Sequence, residues 1–136
     1  MPQTQNYLSQ MYFKINGAEP SDTLKNMMRE IVVDTSLYLP DMFTIHFDDP
    51  NLKCVDSADL EIGKTIEISA KAIGENKATT LMKGEIVAIE PEFTRAMGMT
   101  VVIRGYDKSH RLHRGKKSRP FVNKTDSDIV SDIASA

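Results

Sequence analysis

Cysteine occurs once in the 136 residues, at Cys54, so no internal disulfide can form, and a small buried hydrophobe is the role expected of it. No apolar run approaches the ~20 residues that a membrane span needs. The opening Met1-Pro2-Gln3-Thr4-Gln5-Asn6 has neither the positive region nor the apolar region of a secretory signal. The chain is therefore expected to be cytoplasmic on synthesis and to leave the cell, if it does, by a route that cleaves no peptide. The motifs of catalysis are missing as well: there is no Gly-rich phosphate loop, no Gly-x-Ser-x-Gly elbow and no His-Glu-x-x-His, while Gly84 and Gly98 stand singly. Asp56, Asp59 and Glu61 lack the glycine and the ligand spacing of a calcium loop. His110-x-x-His113 is the one histidine pair, and no further nitrogen, sulfur or carboxylate ligand lies near it in sequence. A solvated basic loop is expected there in place of a zinc site. No enzyme activity, metal or cofactor is expected.

What is present suits one globular domain. A chain of this length buries roughly two thirds of its unfolded surface, and 40% hydrophobic with 26% charged residues are ordinary values for such a domain. The net charge of −2 conceals an uneven distribution: −6 over residues 1–103, +7 over 104–124 and −3 over 125–136. A dipolar layout of this kind suits head-to-tail contact between charged surfaces.

Most of the chain alternates as strands do. Residues 1–10 are polar and expected to be flexible, with Tyr7 and Leu8 their only large apolar groups. Tyr12-Phe13-Lys14-Ile15 reads as a first strand, ended by the turn pair Asn16-Gly17. Residues 21–34 fit two patterns. Leu24, Met27, Met28 and Ile31 recur at helical spacing behind Ser21 or Asp22, whereas Ile31-Val32-Val33 favours a strand over about 29–34. Phe43, Ile45 and Phe47 alternate with Thr44, His46 and Asp48 as a half-buried strand over 42–48, with His46 on its polar side. Residues 49–64 read as loop. Ile66, Ile68, Ala70 and Ala72 mark the clearest strand, 74–77 a turn, and 79–90 a strand buried on both faces and ended by Pro91. A connection over 92–98 leads to a strand from Met99 to Tyr106, which Gly105 interrupts. Successive strands at short spacing predict a mainly β protein, an antiparallel β-barrel.

The last third carries the functional signal. Arg104, Lys108, Arg111, Arg114, Lys116, Lys117, Arg119 and Lys124 stand against one acid, Asp107. Thr125-Asp126-Ser127-Asp128 then opens a C-terminal helix, with Thr125 as N-cap, carboxylates in the first turn, and Ile129, Val130 and Ile133 as its apolar face. Clustered cations are the footprint of nucleic-acid proteins, so a small nucleic-acid-binding module using 104–124 is an alternative reading. It is disfavoured, because no aromatic lies between Tyr106 and Phe121 on which bases could stack.

The run Val101-Val102-Ile103-Arg104-Gly105-Tyr106-Asp107, followed by Arg111-Leu112-His113-Arg114, the Lys116/Lys117 turn and Thr125-Asp126-Ser127-Asp128-Ile129-Val130, resembles VgrG-like spike proteins and the phage late control protein D family. Leu37-Tyr38-Leu39-Pro40-Asp41-Met42-Phe43 resembles the early part of that family's first domain. The resemblance implies a hub domain of a contractile injection machine, of the phage-tail, type VI or extracellular kind. Its barrel would resemble tail tube and hub proteins and assemble as a homotrimer between an Hcp-like tube protein, the baseplate and a central spike, with effectors or a spike-tip protein held through further domains. The protein would then be built into the injection particle. On this reading residues 11–124 form the hub barrel and 125–136 begin a helix leading into a remainder not included in the chain. Arg104, Lys108, Arg111, Arg114 and Arg119 are the expected contacts with a second protomer or the tube. Reversing charge at Arg111 and Arg114 is expected to weaken assembly without unfolding the domain.

Overall fold

A computed structural model of the protein describes residues 10–95 and 98–135. The expected flexible segment 1–10 therefore lies outside the described residues, except for Gln10, which begins the first strand. Strand β1 (Gln10–Ile15) ends at Asn16-Gly17, both at positive φ, as the turn pair predicts. The stretch that fits two patterns contains both elements. Helix α1 (Asp22–Met27) is capped by Ser21, whose hydroxyl accepts the Leu24 N–H, and passes directly into β2 (Met28–Asp34). Leu24 is buried from the helix, while Ile31 and Val33 pack on the core from the strand.

Strands β3 (Met42–Asp48), β4 (Thr65–Lys71), β5 (Thr79–Thr94) and β6 (Gly98–Tyr106) complete one antiparallel sheet in the order β1-β4-β5-β6-β3-β2. The sheet curls on itself. Phe13 of β1 and Phe47 of β3 stand three strands apart in it, yet their rings meet edge to face at 5.9 Å. The result is the expected mainly β antiparallel fold with a C-terminal helix, shaped as a curled half-barrel whose two edges, β1 and β2, stay unpaired with each other among the described residues.

The concave side holds the core: Phe13, Phe43, Ile45, Phe47, Ile66, Ile68, Ile86, Val101 and Ile103, closed over by Leu24, Cys54 and Leu60. Two glycines give Phe43 its place. A Cβ on Gly105 would overlap the Phe43 ring and the Glu85 carbonyl, and one on Gly84 would lie 2.6 Å from the Tyr106 carbonyl oxygen. The expectation that Gly105 interrupts the last strand is thus corrected: β6 runs through it to Tyr106, and the missing side chain is what lets an aromatic ring lie flat on the ladder.

Strand β5 also departs from its expected bounds. It passes through Pro91 to Thr94, paired with β6 throughout, whereas β4 pairs with it only as far as Glu85. Beyond that point β5 is an edge strand, where a residue without an N–H is tolerated. The same geometry corrects the expected burial on both faces. Ile86 is buried, but Val87, at a break in the register with β6, and then Ala88 and Ile89 are only half-buried because no strand covers their outer edge. In the 49–64 loop the buried Asp49 carboxylate accepts the Lys53 and Cys54 N–H groups at 2.7 and 2.6 Å. Burial, and then the neighbouring Asp49, push the Cys54 thiol up to about 12, in keeping with an inert core residue.

The Phe43 packing gives a direct test. Gly105→Ala should lower the unfolding free energy by about 2 kcal/mol or more, read from the urea midpoint. Gly115→Ala, where an added Cβ meets nothing within 4 Å, should leave it nearly unchanged.

Candidate functional site

The basic segment leaves the sheet at the end of β6 and is tied down at once. Asp107 donates its N–H to the Asp41 carbonyl at 3.0 Å, fixing the exit beside the base of the β2–β3 connection. Its side chain then accepts the Ser109 N–H at 3.0 Å and caps a 3-10 helix over Lys108–His113. Tilted against Tyr106 at 5.9 Å between ring centroids, His110 is buried in this turn. Its Nδ1 lies 2.5 Å from the Asp107 carbonyl oxygen and its Nε2 lies 2.8 Å from Arg114 Nη2. A guanidinium only donates, so Nε2 accepts and the proton sits on Nδ1, where it is donated to the carbonyl. The expected solvated loop is corrected here: His110 is a packed anchor and His113 is exposed. Among the described residues no three His, Cys, Asp or Glu side chains are grouped to hold a metal.

The five expected contact residues separate into different roles. Arg111 forks onto Glu85 of β5, Nε donating to one carboxylate oxygen at 3.1 Å and Nη2 to the other. Glu85 is 7% exposed, so this is a fold contact in which a planar cation satisfies a covered carboxylate. Arg104 pairs with Glu90 at 3.1 Å across β6 and β5. Arg114 is held by His110. Arg119 lies 5.1 Å over the Phe121 ring and donates to the Asp132 carbonyl at 3.3 Å. Of the five, only Lys108 is exposed without an ion pair or side-chain hydrogen bond among the described residues, and Lys116 and Lys117 share that condition.

From Arg114 to Lys124 the chain has no helix or strand, and every residue except the half-buried Phe121 is exposed. Its second half folds onto helix α2 (Asp126–Ala134), to which Lys124 is joined by an ion pair with Asp132. Thr125 caps α2 as the sequence predicts, in a reciprocal arrangement with Asp128. The Thr125 hydroxyl and then its N–H donate to the Asp128 carboxylate at 2.7 and 3.2 Å, which holds that carboxyl below its ordinary 3.8. The apolar side of α2 does not reach the core: among its described residues none is buried, and Val130 is 66% exposed.

A second exposed feature was not foreseen. The 35–41 connection between β2 and β3 raises Leu37, Tyr38 and Leu39 into solvent at 88%, 88% and 68% exposure. Its base is closed by the Ser36 N–H donating to Asp41 at 3.0 Å. Three large apolar residues ahead of Pro40, outside the alternation of the flanking strands, were the available signal. Elsewhere a cleft of about 410 Å³ on the convex side is lined by Arg29, Glu30, His46, Glu92, Thr94 and Thr100, a mixture of charges with no buried unpartnered polar side-chain atom among the described residues.

Comparison with protein families settles the relationship. A family model described as the Alg8 N-terminal domain matches residues 14–136. The chain belongs to the Alg8 N-terminal domain family. No curated protein matches the chain. Membership in this family replaces the VgrG-like spike and late control protein D assignment drawn from Met99–Ala134, since the model that matches is another one and spans nearly the whole chain. The contractile-injection hub function, with its baseplate and type VI associations, rested on that resemblance and is withdrawn with it. The nucleic-acid alternative gains nothing either: Arg104, Arg111, Arg119 and Lys124 are engaged within the domain, and Phe121 lies beneath Arg119. The expectation of no enzyme is likewise withdrawn, because motifs missing from an N-terminal domain exclude nothing about the Alg8 protein that carries it.

Two measurements check this division of roles. Arg111→Ala leaves the covered Glu85 without its partner and should cost about 1–3 kcal/mol of stability, whereas Lys116→Ala should stay within about 0.5 kcal/mol. The expectation that charge reversal at Arg111 spares the fold is corrected accordingly. Because the folded-state value of Asp128 is depressed, its contribution to the α2 cap is complete above 3.8 and is lost as pH falls through the lower folded value. Amide chemical shifts over 126–134 should move toward coil values in that acid range, and Asp128→Asn should abolish the transition.

Proposed function

We propose that the domain is the docking module of an Alg8-type protein, seating it on an acidic protein surface through the segment from Lys108 to Ser118. The observation that carries the reading is the separation of the cations. Those nearest the sheet are spent on Glu85 and Glu90, and those nearest α2 on Asp132 and Phe121. Lys108, Lys116 and Lys117 between them stay exposed and without an ion pair among the described residues. Holding ammonium groups apart from the carboxylates of an otherwise acidic chain makes a one-signed patch that steers association and fixes orientation. Each such contact is worth only ~0–1 kcal/mol at an exposed rim. Affinity must come from apolar contact beside it. Whatever chemistry the Alg8 protein performs belongs, on this reading, to parts other than the docking segment.

Lysine footprinting tests it. When the native assembled protein and the isolated chain are acetylated under the same conditions, Lys108, Lys116 and Lys117 should be protected in the assembly while Lys14 and Lys77, exposed on other parts of the surface, react equally in both. Equal reactivity at all five would refute the assignment.

A further inference from the structure

The β2–β3 connection is an apolar projection on a firm base. Leu37, Tyr38 and Leu39 are exposed together, Pro40 restricts the backbone behind them, and Asp41 fixes both Ser36 and, through its carbonyl, Asp107. The Asp41–Asp107 bond places this projection at the end of the sheet from which Lys108 emerges. An exposed apolar knob and a basic patch therefore share one end of the molecule.

Helix α2 carries the opposite pattern. Asp126, Ile129, Val130 and Ile133 stand at i, i+3, i+4 and i+7, so they share one face, with the carboxylate at its head. Val130 and Ile133 are 66% and 42% exposed. The second half of the basic arm braces this helix from another side through Asp132, leaving Asp126 and the apolar residues uncovered. Apolar knob with cations faces apolar stripe with a carboxylate, and the two surfaces are different patches of one chain.

We infer that the Leu37–Leu39 projection of one molecule docks on the Ile129–Ile133 face of α2 in a second copy, with Lys108, Lys116 and Lys117 beside Asp126 of that copy. The inference rests on the docking reading for its charge contacts and names the acidic surface as this helix. Such a contact is heterologous: each copy offers a knob and a stripe, so copies join head to tail and either close into a ring or continue. Leu37 and Leu39 bind, Tyr38 adds a broad ring to the same contact, and the lysines orient it.

Sedimentation velocity of the full 136-residue chain at rising concentration, up to about 1 mM because contacts of this size are weak, is the test. The weight-average sedimentation coefficient should rise with concentration. Leu37→Ser/Leu39→Ser and Val130→Ser/Ile133→Ser should each weaken association by at least about tenfold while keeping the far-ultraviolet circular dichroism of the parent. An equimolar mixture of the two double variants, each retaining one intact patch, should form a dimer and nothing larger. A parent that stays monomeric, a double variant that associates as the parent does, or a mixture that forms no dimer would overturn the contact. Protection of Lys116 in the native assembly together with a monomeric chain would retire the knob-to-helix contact and leave the docking reading standing. An associating chain whose lysines remain fully reactive would retire the docking reading instead.

Discussion

The close approach of the Phe43 ring to the backbone of β5 and β6 is the constraint on which the half-barrel depends. Gly84 and Gly105 clear the space, and the ring lies on the ladder where side chains would otherwise hold the concave face open. Packing of that density requires the sheet to bend. Bending brings Phe13 of one edge strand against Phe47 and closes the core under Leu24 and Leu60. It also sets the end of β6, and with it the point where the basic segment begins beside Asp41. The functional surface is thus positioned from the core outward.

The sheet was largely legible, because one face of each strand is buried and period-two alternation records that burial. Phe43, Ile45 and Phe47 marked their strand to the residue, and Thr125 with Asp128 marked the helix start. What escaped had a neighbour as its cause. Gly105 reads as a break when only its own propensity is considered, and as a seat for Phe43 once β3 lies beside it. Pro91 reads as a stop until β4 is seen to end earlier than β5. At the candidate site the sequence located the basic window but not its internal accounts. Nothing in the spacing of Arg111 tells that Glu85, 26 positions earlier, lies beneath it, and nothing around His110 tells that Tyr106 covers its ring. The similarity over residues 99–134 carried a wrong family assignment for a related reason: a dense local match weighs one third of a chain, whereas the Alg8 N-terminal domain matches from residue 14 onward.

The cations of the segment divide by what they touch. A guanidinium forked onto a covered carboxylate has little left for a partner, so Arg111 and Arg104 hold strands while the lysines remain available. This places the orienting charges on the side chains with the greatest reach and the least fixed geometry. The stiff elements carry the apolar groups instead: a loop closed by Asp41 and a helix closed by Thr125. Rigid anchors with adaptable charges around them are the usual division within a protein contact.

The strand order has a consequence for how the chain is made. Strands β4, β5 and β6 form a meander contiguous in sequence, but β1 must wait for β4, and β3 must wait for β6. As the chain leaves the ribosome, Phe13, Phe43 and Phe47 emerge with only the β2–β3 hairpin to cover them. At about 5–20 residues per second they remain without their partners for seconds. The apolar side of the first third is therefore a natural client surface for chaperones during synthesis, and the fold is completed from its C-terminal half backwards.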